Sequence, residues 1–554
     1  MPTTRSGRDT TSCSEVNKLK RKRNSVEKQS CCIKTGDTVD LSKLLFTTHR
    51  NYLFNYNLNQ RVQAKELDGK VIILLFASPH ESSSWRYDIT HLLDIYSKLQ
   101  PIGGVEIIFV AVGDDFTCQY DSQSSMHSTP HSLFLEIFYK VTWPAIPLSD
   151  IKSRKLLQTK FGISDHSSHS IIIDQRGVVL QCDATDLFCR YGAAGYPFTQ
   201  ERIEFLESED NVARVQPSIK RILASAEHDY VITSKGNQVP LHNLEDKVVG
   251  LYFCADLYDK NITIELKAAY EELSRNMGDF EVVLIYPHDW WKSCGRRDDE
   301  DLFWKAFEEM PWLSLPFEDT NRTKQLQRIF EYPQEILEGQ KPDPSLVIIG
   351  PQGNFAEKYG ANILLGCGVS AYPFAFSNAV DSEVEMVKNL KPEMFWDLDT
   401  VFRRKNGSRV RFSQLLGKRI IVVFQNWGSS FDSLLWDLKE MYVKMKGTSD
   451  EFEVIHVHHG MRSYRVVAAM PWLIHIPFNE DSFGHKFIDD AFRGVNSGLL
   501  AFDRDGSVVR RALWPAVGEE VFPFHVYGDL ENEVFADLIR KINIPLDPEV
   551  LEFL

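Results

Sequence analysis

The chain has 554 residues, 43% of them hydrophobic and 25% charged, a balance that suits several folded domains and excludes a wholly disordered polypeptide. Its net charge of −15 sets most of its surface against nucleic acid. Its longest apolar run, Val71 to Ala77, falls far short of the ~20 residues that cross a bilayer, so neither a nucleic-acid nor a membrane partner is expected.

The segment Met1 to Arg23 carries seven Lys or Arg against Asp9 and Glu15. Lys18, Lys20, Arg21, Lys22 and Arg23 are dense enough to serve as a nuclear-import candidate. No apolar stretch follows them, so the segment does not read as a secretory signal, and the chain is expected in cytoplasm and nucleus. In that reducing setting the nine cysteines default to thiols. The first 40 residues or so, with Cys31 and Cys32 inside them, are expected to form a disordered basic tail.

Beyond the tail, one series of elements occurs three times. Each begins with an apolar strand, Val71 to Phe76, Val248 to Phe253 and Ile420 to Phe424, of the kind buried on both faces. A stretch with helical apolar spacing follows, including Leu92, Leu93, Tyr96 and Leu99, or Leu434, Leu435, Leu438 and Tyr442. A second strand then starts beside Glu106, Glu281 and Glu453, at offsets of 30, 28 and 29 from the preceding Phe. Strand, helix and strand at this spacing make a right-handed parallel crossover. A Trp-Pro or Pro-Trp segment comes next, at Trp143-Pro144, Pro311-Trp312 and Pro471-Trp472. A hairpin with a Gly-containing turn follows, at Gly177, Gly353 and Gly506, and the repeats close on Tyr196-Pro197-Phe198, Tyr372-Pro373-Phe374 and Phe522-Pro523-Phe524. This predicts an α/β chain of three tandem thioredoxin-like domains at 41–210, 211–392 and 393–554, each a mixed sheet flanked by helices.

Met310-Pro311-Trp312-Leu313-Ser314-Leu315-Pro316-Phe317, the run Arg190 to Thr199 and Glu201-Arg202-Ile203 resemble the signatures of plant nucleoredoxins, and the resemblance runs through nearly all the chain after residue 40. It implies a thioredoxin-fold disulfide reductase of cytosol and nucleus. Plant members often end in a Cys/His-rich zinc module, and with no Cys after Cys367 that module is expected to be absent. The family's chemistry takes two cysteines after the first strand: a thiolate favoured by a helix N-terminus and a second thiol that resolves the mixed disulfide. Here Glu81 and Ser84 stand at those positions in the first repeat, and Gly428 and Phe431 in the third, while the second reads Cys254-Ala255-Asp256 onward and is shorter. No Cys-x-x-Cys occurs anywhere, and a serine hydroxyl neither ionises near neutral pH nor forms a reversible bridge.

The family also places a cis-proline before the third strand. Ser168 and Ser497 replace it, Pro344 retains it, and the Asp343-Pro344 bond is a candidate for the cis form. Cys254 and Pro344 are therefore the expected partner groove. Cys254 reads either as a lone oxidisable thiol or as a small buried hydrophobe, and burial is the usual fate of such a cysteine. His456, His458 and His459 lack companion ligands at metal spacing, so no metal and no cofactor is expected. Trp290-Trp291 is either a partner anchor or a packing pair. The expected activity is that of a redox-inactive scaffold or adaptor for other proteins. The alternatives are a protein-disulfide reductase and a filament protein like the plant sieve-element occlusion proteins, whose thioredoxin-like segments it also resembles.

Overall fold

An unbroken apolar run is buried on both faces only inside a covered sheet, and the three expected strands lie there. The computed structural model describes residues 32–77, 84–112, 141–164, 169–225, 228–257, 261–287, 300–333, 342–425, 432–458, 469–475, 492, 497–512 and 530–543. In the first repeat β1 (Leu53–Asn55) pairs with β2 (Gln60–Val62). There β3 (Val71–Ala77), β4 (Val105–Ala111), β5 (His169–Ile173) and β6 (Val179–Gln181) form a sheet in the order β4-β3-β5-β6. The second repeat contributes β7 (Tyr230–Thr233), β8 (Gln238–Pro240), β9 (Val248–Phe253), β10 (Phe280–Ile285), β11 (Leu313–Ser314), β12 (Ser345–Ile349) and β13 (Ala356–Glu357), in the order β13-β12-β9-β10-β11-β7-β8. The third has β14 (Val401–Arg403), β15 (Arg409–Arg411), β16 (Arg419–Gln425), β17 (Phe452–His458), β18 (Leu473–His475), β19 (Ser497–Phe502) and β20 (Val508–Ala512), in the order β15-β14-β18-β17-β16-β19-β20.

The central strands β3, β9 and β16 run parallel to β4, β10 and β17 and antiparallel to β5, β12 and β19. Helices Ser84–Leu99, Asn261–Asn276 and Asp432–Met445 make the crossovers. This is the mixed, helix-flanked layout read from the repeats.

Each repeat is pinned at the amino end of its second strand by the same four side chains. The buried carboxylates Glu106, Glu281 and Glu453 accept hydrogen bonds from Tyr96, Tyr270 and Tyr442 on the crossover helices at 3.1, 3.0 and 3.0 Å. A cation from another segment completes each: Lys70 at 2.8 Å, Lys247 at 3.5 Å and Arg404, which grips Glu453 with both terminal nitrogens. The tyrosine ring then meets the buried Trp of the Trp-Pro segment edge-on, with centroids 6.1, 6.1 and 5.9 Å apart for Trp143, Trp312 and Trp472. Burial, and after it the adjacent carboxylate, pushes each phenol upward, Tyr442 to about 12 with Arg404 opposing the rise.

The expected tail boundary moves. Residues 1–31, including the import candidate, lie outside the described residues, but 32–40 line the first sheet beside β6. The Ile33, Gly36 and Val39 amides donate to the carbonyls of Lys160, Val179 and Gly177 at 2.7, 2.8 and 2.8 Å. Ile33 and Val39 add apolar surface to the core there, so ladder bonds and burial together outweigh the polar composition of the segment. Gly177, at φ +84°, has no room for a side chain, because a Cβ would stand 2.2 Å from the Val39 carbonyl oxygen.

The described residues up to Asn211 form one compact unit, and nearly all of those from Val212 onward form a second. The second holds both later sheets because they share packing. Val387 and Leu390, at the end of helix Phe376–Asn389, belong to the core of the third sheet, although residue 392 was the expected boundary. Helix Leu530–Lys541 returns onto this helix, where Phe376 meets Phe535 at 5.7 Å, and the Asn362 side-chain amide donates to the Ile542 carbonyl at 2.9 Å. At the centre of this contact Glu383 accepts from Arg511 and from Lys541, the latter at 2.7 Å, with all three side chains at most 4% exposed.

Burial alone would push the Glu383 carboxyl up, but Arg511 and Lys541 outweigh it and hold the group below its ordinary value. A carboxylate whose pKa is lowered by folding stabilises the fold above its unfolded pKa and loses that contribution as pH falls through the folded one. Glu383→Gln leaves two buried cations without their counter-charge, which should cost about 3 kcal/mol or more in urea unfolding at neutral pH. The difference from wild type should shrink in acid, below the ordinary value of 4.5; a variant as stable as wild type at pH 7 would contradict the role assigned to this cluster.

Candidate functional site

In each repeat the chemistry of a thioredoxin-like sheet would sit at the carboxyl end of the central strand, opposite the tyrosine-carboxylate anchor. Glu81, Gly428 and Phe431 lie outside the described residues. Ser84, the second of the two positions, is the first described residue of helix Ser84–Leu99. Ser168, Trp290, Trp291 and His459 also lie outside.

Antiparallel register fixes the rest of the site. Phe76 faces His169, Phe253 faces Ser345 and Gln425 faces Ser497. Cys254 directly follows β9 and Pro344 directly precedes β12, so the two flank the Phe253 to Ser345 pair.

Cys254 is 0% exposed. Its amide donates to the Ile285 carbonyl at 3.2 Å, and its thiol reaches the Asp256 carbonyl oxygen, also at 3.2 Å. Helix Asn261–Asn276 begins seven residues further along the chain. Pro344 is partly buried and Asp343 exposed.

The cis reading of Asp343-Pro344 is not met. Among the described residues the cis bonds are Tyr196-Pro197 and Tyr372-Pro373. Pro344 runs directly into β12, where a trans bond and an extended preceding residue continue the strand. At the two cis positions the chain turns back: the amides of Phe198 and Phe374 donate to the carbonyls of Gly195 and Ala371 at 2.7 Å each, and both rings are fully buried.

A residue that the repeat pattern did not single out completes the second-repeat site. Tyr332 stacks on Phe253 at 5.1 Å and 19°, is 4% exposed, and its hydroxyl has no hydrogen-bond partner among the described residues. Burial pushes its pKa up, with Cys254 and then Asp343 adding to the rise. The signal was available: helix Thr320–Ile329 ends in Phe330-Glu331-Tyr332 where helix Ile151–Phe161 of the first repeat ends in Phe161-Gly162-Ile163, so a phenol stands where its counterpart is aliphatic.

His456 is buried in β17, and His475 packs edge-on against Trp396 and Phe402. Among the described residues no group of three or more His, Cys, Asp or Glu is placed to hold a metal ion, and no single helix is long and apolar enough to cross a membrane.

No family model matches the chain. It is 30% identical over 520 residues to "Probable nucleoredoxin 1" of Arabidopsis thaliana, spanning 91% of this chain and 83% of that protein. It is 30% identical over 336 residues to "Probable nucleoredoxin 2" of Oryza sativa subsp. japonica, spanning 60% of this chain and 75% of that one. The human "Nucleoredoxin" is 25% identical over 221 residues, covering 39% and 42%. Among solved structures, "Tryparedoxin from Trypanosoma brucei" aligns with 29% of this chain and 96% of its own at 24% identity and a TM-score of 0.21. With a relative 30% identical over 91% of this chain and 83% of its own length, the chain belongs to the nucleoredoxin family.

Proposed function

We propose that this nucleoredoxin-like, thioredoxin-family protein binds other proteins without dithiol exchange. The observation that carries the reading is the thiol inventory. The sequence holds no Cys-x-x-Cys, and Cys254, the cysteine beside the retained proline, is buried with its thiol directed to a backbone carbonyl. Exchange proceeds by attack of an accessible thiolate and release by a second thiol, and neither requirement is supported here. Extended segments bind thioredoxin-like sheets through backbone groups beside the proline, a mode that uses no cysteine. The second repeat keeps a proline, Pro344, directly before β12 and next to the strand end that Cys254 follows, although its bond is not cis. The competing reading is a disulfide reductase working through Cys254 alone. We place the protein in cytoplasm and nucleus, with import through the basic segment around Lys20.

In an insulin-reduction assay with dithiothreitol or a thioredoxin reductase as electron source, the protein should show no turnover above the uncatalysed rate. Turnover that disappears in Cys254→Ser would replace the binding reading with the reductase one. Partners that co-purify with the wild type should be lost or reduced with Pro344→Ala, whose unfolding midpoint serves as the folding control; full retention by a folded variant would remove the groove from consideration. A tagged chain lacking residues 1–23 should shift from nucleus to cytoplasm, and an unchanged nuclear signal would show that import does not use the basic segment.

A further inference from the structure

From Thr400 to Phe431 the sequence has seven Lys or Arg and no Asp or Glu, in a chain whose net charge is −15. Five of the seven, Arg403, Arg404, Lys405, Arg409 and Arg411, belong to or join the β14-β15 hairpin. Its register pairs Val401 with Arg411, Phe402 with Val410 and Arg403 with Arg409. Because side chains alternate across a strand, Arg403, Arg409 and Arg411 share one face with Val401, while Phe402 enters the core at 0% exposure. All four residues of the outer face are exposed, as is Lys405 at the turn.

The partners of these cations are few. Arg404 is committed to Glu453, and Arg411 has only a loose contact with Asp399 at 4.0 Å, both highly exposed. Arg403, Lys405 and Arg409 have no ion-pair partner among the described residues. Two arginines directly opposed across a ladder destabilise it. The corresponding hairpin of the second repeat avoids this, since Ile232 there faces Gln238 and Tyr230 faces Pro240. Strand β15 is also the last strand of its sheet, so its outer backbone edge has no strand partner among the described residues. A single charge suffices to deter unwanted pairing at such an edge; three arginines on one face, two of them opposed, go beyond that at a cost in stability.

We propose that the β14-β15 hairpin is a docking surface for an extended acidic peptide segment of a partner protein, which adds as a strand to the edge of β15. Alternate Asp or Glu side chains of that segment lie against Arg403, Arg409 and Arg411, and its backbone pairs with the edge of β15 at Arg409, the Arg411 amide already donating to the Gln414 side chain at 2.9 Å. The charge balance favours a short peptide over a nucleic acid. The rest of the chain is more acidic than the whole, so a long polyanion is repelled outside the hairpin, whereas a few residues at ~3.3 Å each fit within it.

The test uses the full chain and a fluorescent peptide of about ten residues alternating Glu and Thr. A Lys/Thr peptide, oligothymidylate and phosphatidylserine vesicles serve as the other arms. The Glu/Thr peptide should bind, and the Lys/Thr peptide should not. Arg403→Glu with Arg409→Glu should weaken binding about tenfold or more, as should a rise in salt. Arg403→Gln with Arg409→Gln should also weaken binding while leaving the unfolding midpoint equal or higher, since it relieves the opposed charges. A peptide N-methylated at alternate amides should bind less well. The proposal is overturned if the Glu/Thr peptide does not bind, if neither pair of substitutions affects it, if N-methylation leaves its affinity unchanged, or if oligothymidylate or vesicles use the same arginines with higher affinity.

Discussion

A carboxylate buried at the start of the second strand, held by a tyrosine and a cation, is the interaction on which each repeat is built. A buried charge is costly unless it is paired and hydrogen-bonded. Glu106, Glu281 and Glu453 meet that condition by recruiting partners from separate parts of the chain. The tyrosine fixes the crossover helix, the cation fixes the turn or hairpin that precedes or flanks the central strand, and the Trp behind the tyrosine fixes the Trp-Pro segment. One ionic contact therefore sets the relative placement of four elements. It acts at the amino end of the parallel strands, away from the end where a redox pair would sit. Loss of cysteines at one end leaves the anchoring contacts at the other untouched.

Much of this was legible in the sequence, and the limits have physical causes. The apolar runs ending at Phe76, Phe253 and Phe424 could be read because a doubly covered strand tolerates no polar residue. The constant offset to Glu106, Glu281 and Glu453 could be read because crossover length is fixed by the helix between. The adjacency of the strand ends beside Cys254 and Pro344 could be read because β9 and β12 pair antiparallel, with Phe253 facing Ser345. The cis bonds fell elsewhere, at Tyr196-Pro197 and Tyr372-Pro373, because a proline in a sequence does not reveal whether its chain turns or continues. The placement of residues 32–40 was hidden by their polar composition, since their contribution is made largely through backbone hydrogen bonds that any side chain permits. Tyr332 differs from its aliphatic counterpart Ile163 in the sequence, but its stacking on Phe253, 79 positions away in the chain, is not visible there.

The Glu383 cluster shows the same limit on a larger scale. Its members are 128 and 158 residues apart, and each alone reads as an ordinary surface charge on an amphipathic helix or an edge strand. Together with the apolar side chains of Val387 and Leu390, they merge what the repeats suggest are two domains into one packed unit. Arg403 and Arg409 of the β14-β15 hairpin belong to this unit but are exposed, and among the described residues neither has an ion-pair partner.

The shared core also constrains which shortened forms of the protein could survive in a cell. A transcript or a protease product ending near residue 392 would keep every strand of the second sheet, yet it would bare Val387 and Leu390 to water and strip Glu383 of Arg511 and Lys541. Exposed apolar surface beside an unsatisfied carboxylate is what quality-control machinery recognises and removes. Packing thus couples the second and third repeats in folding, so that neither is an independent piece of the chain.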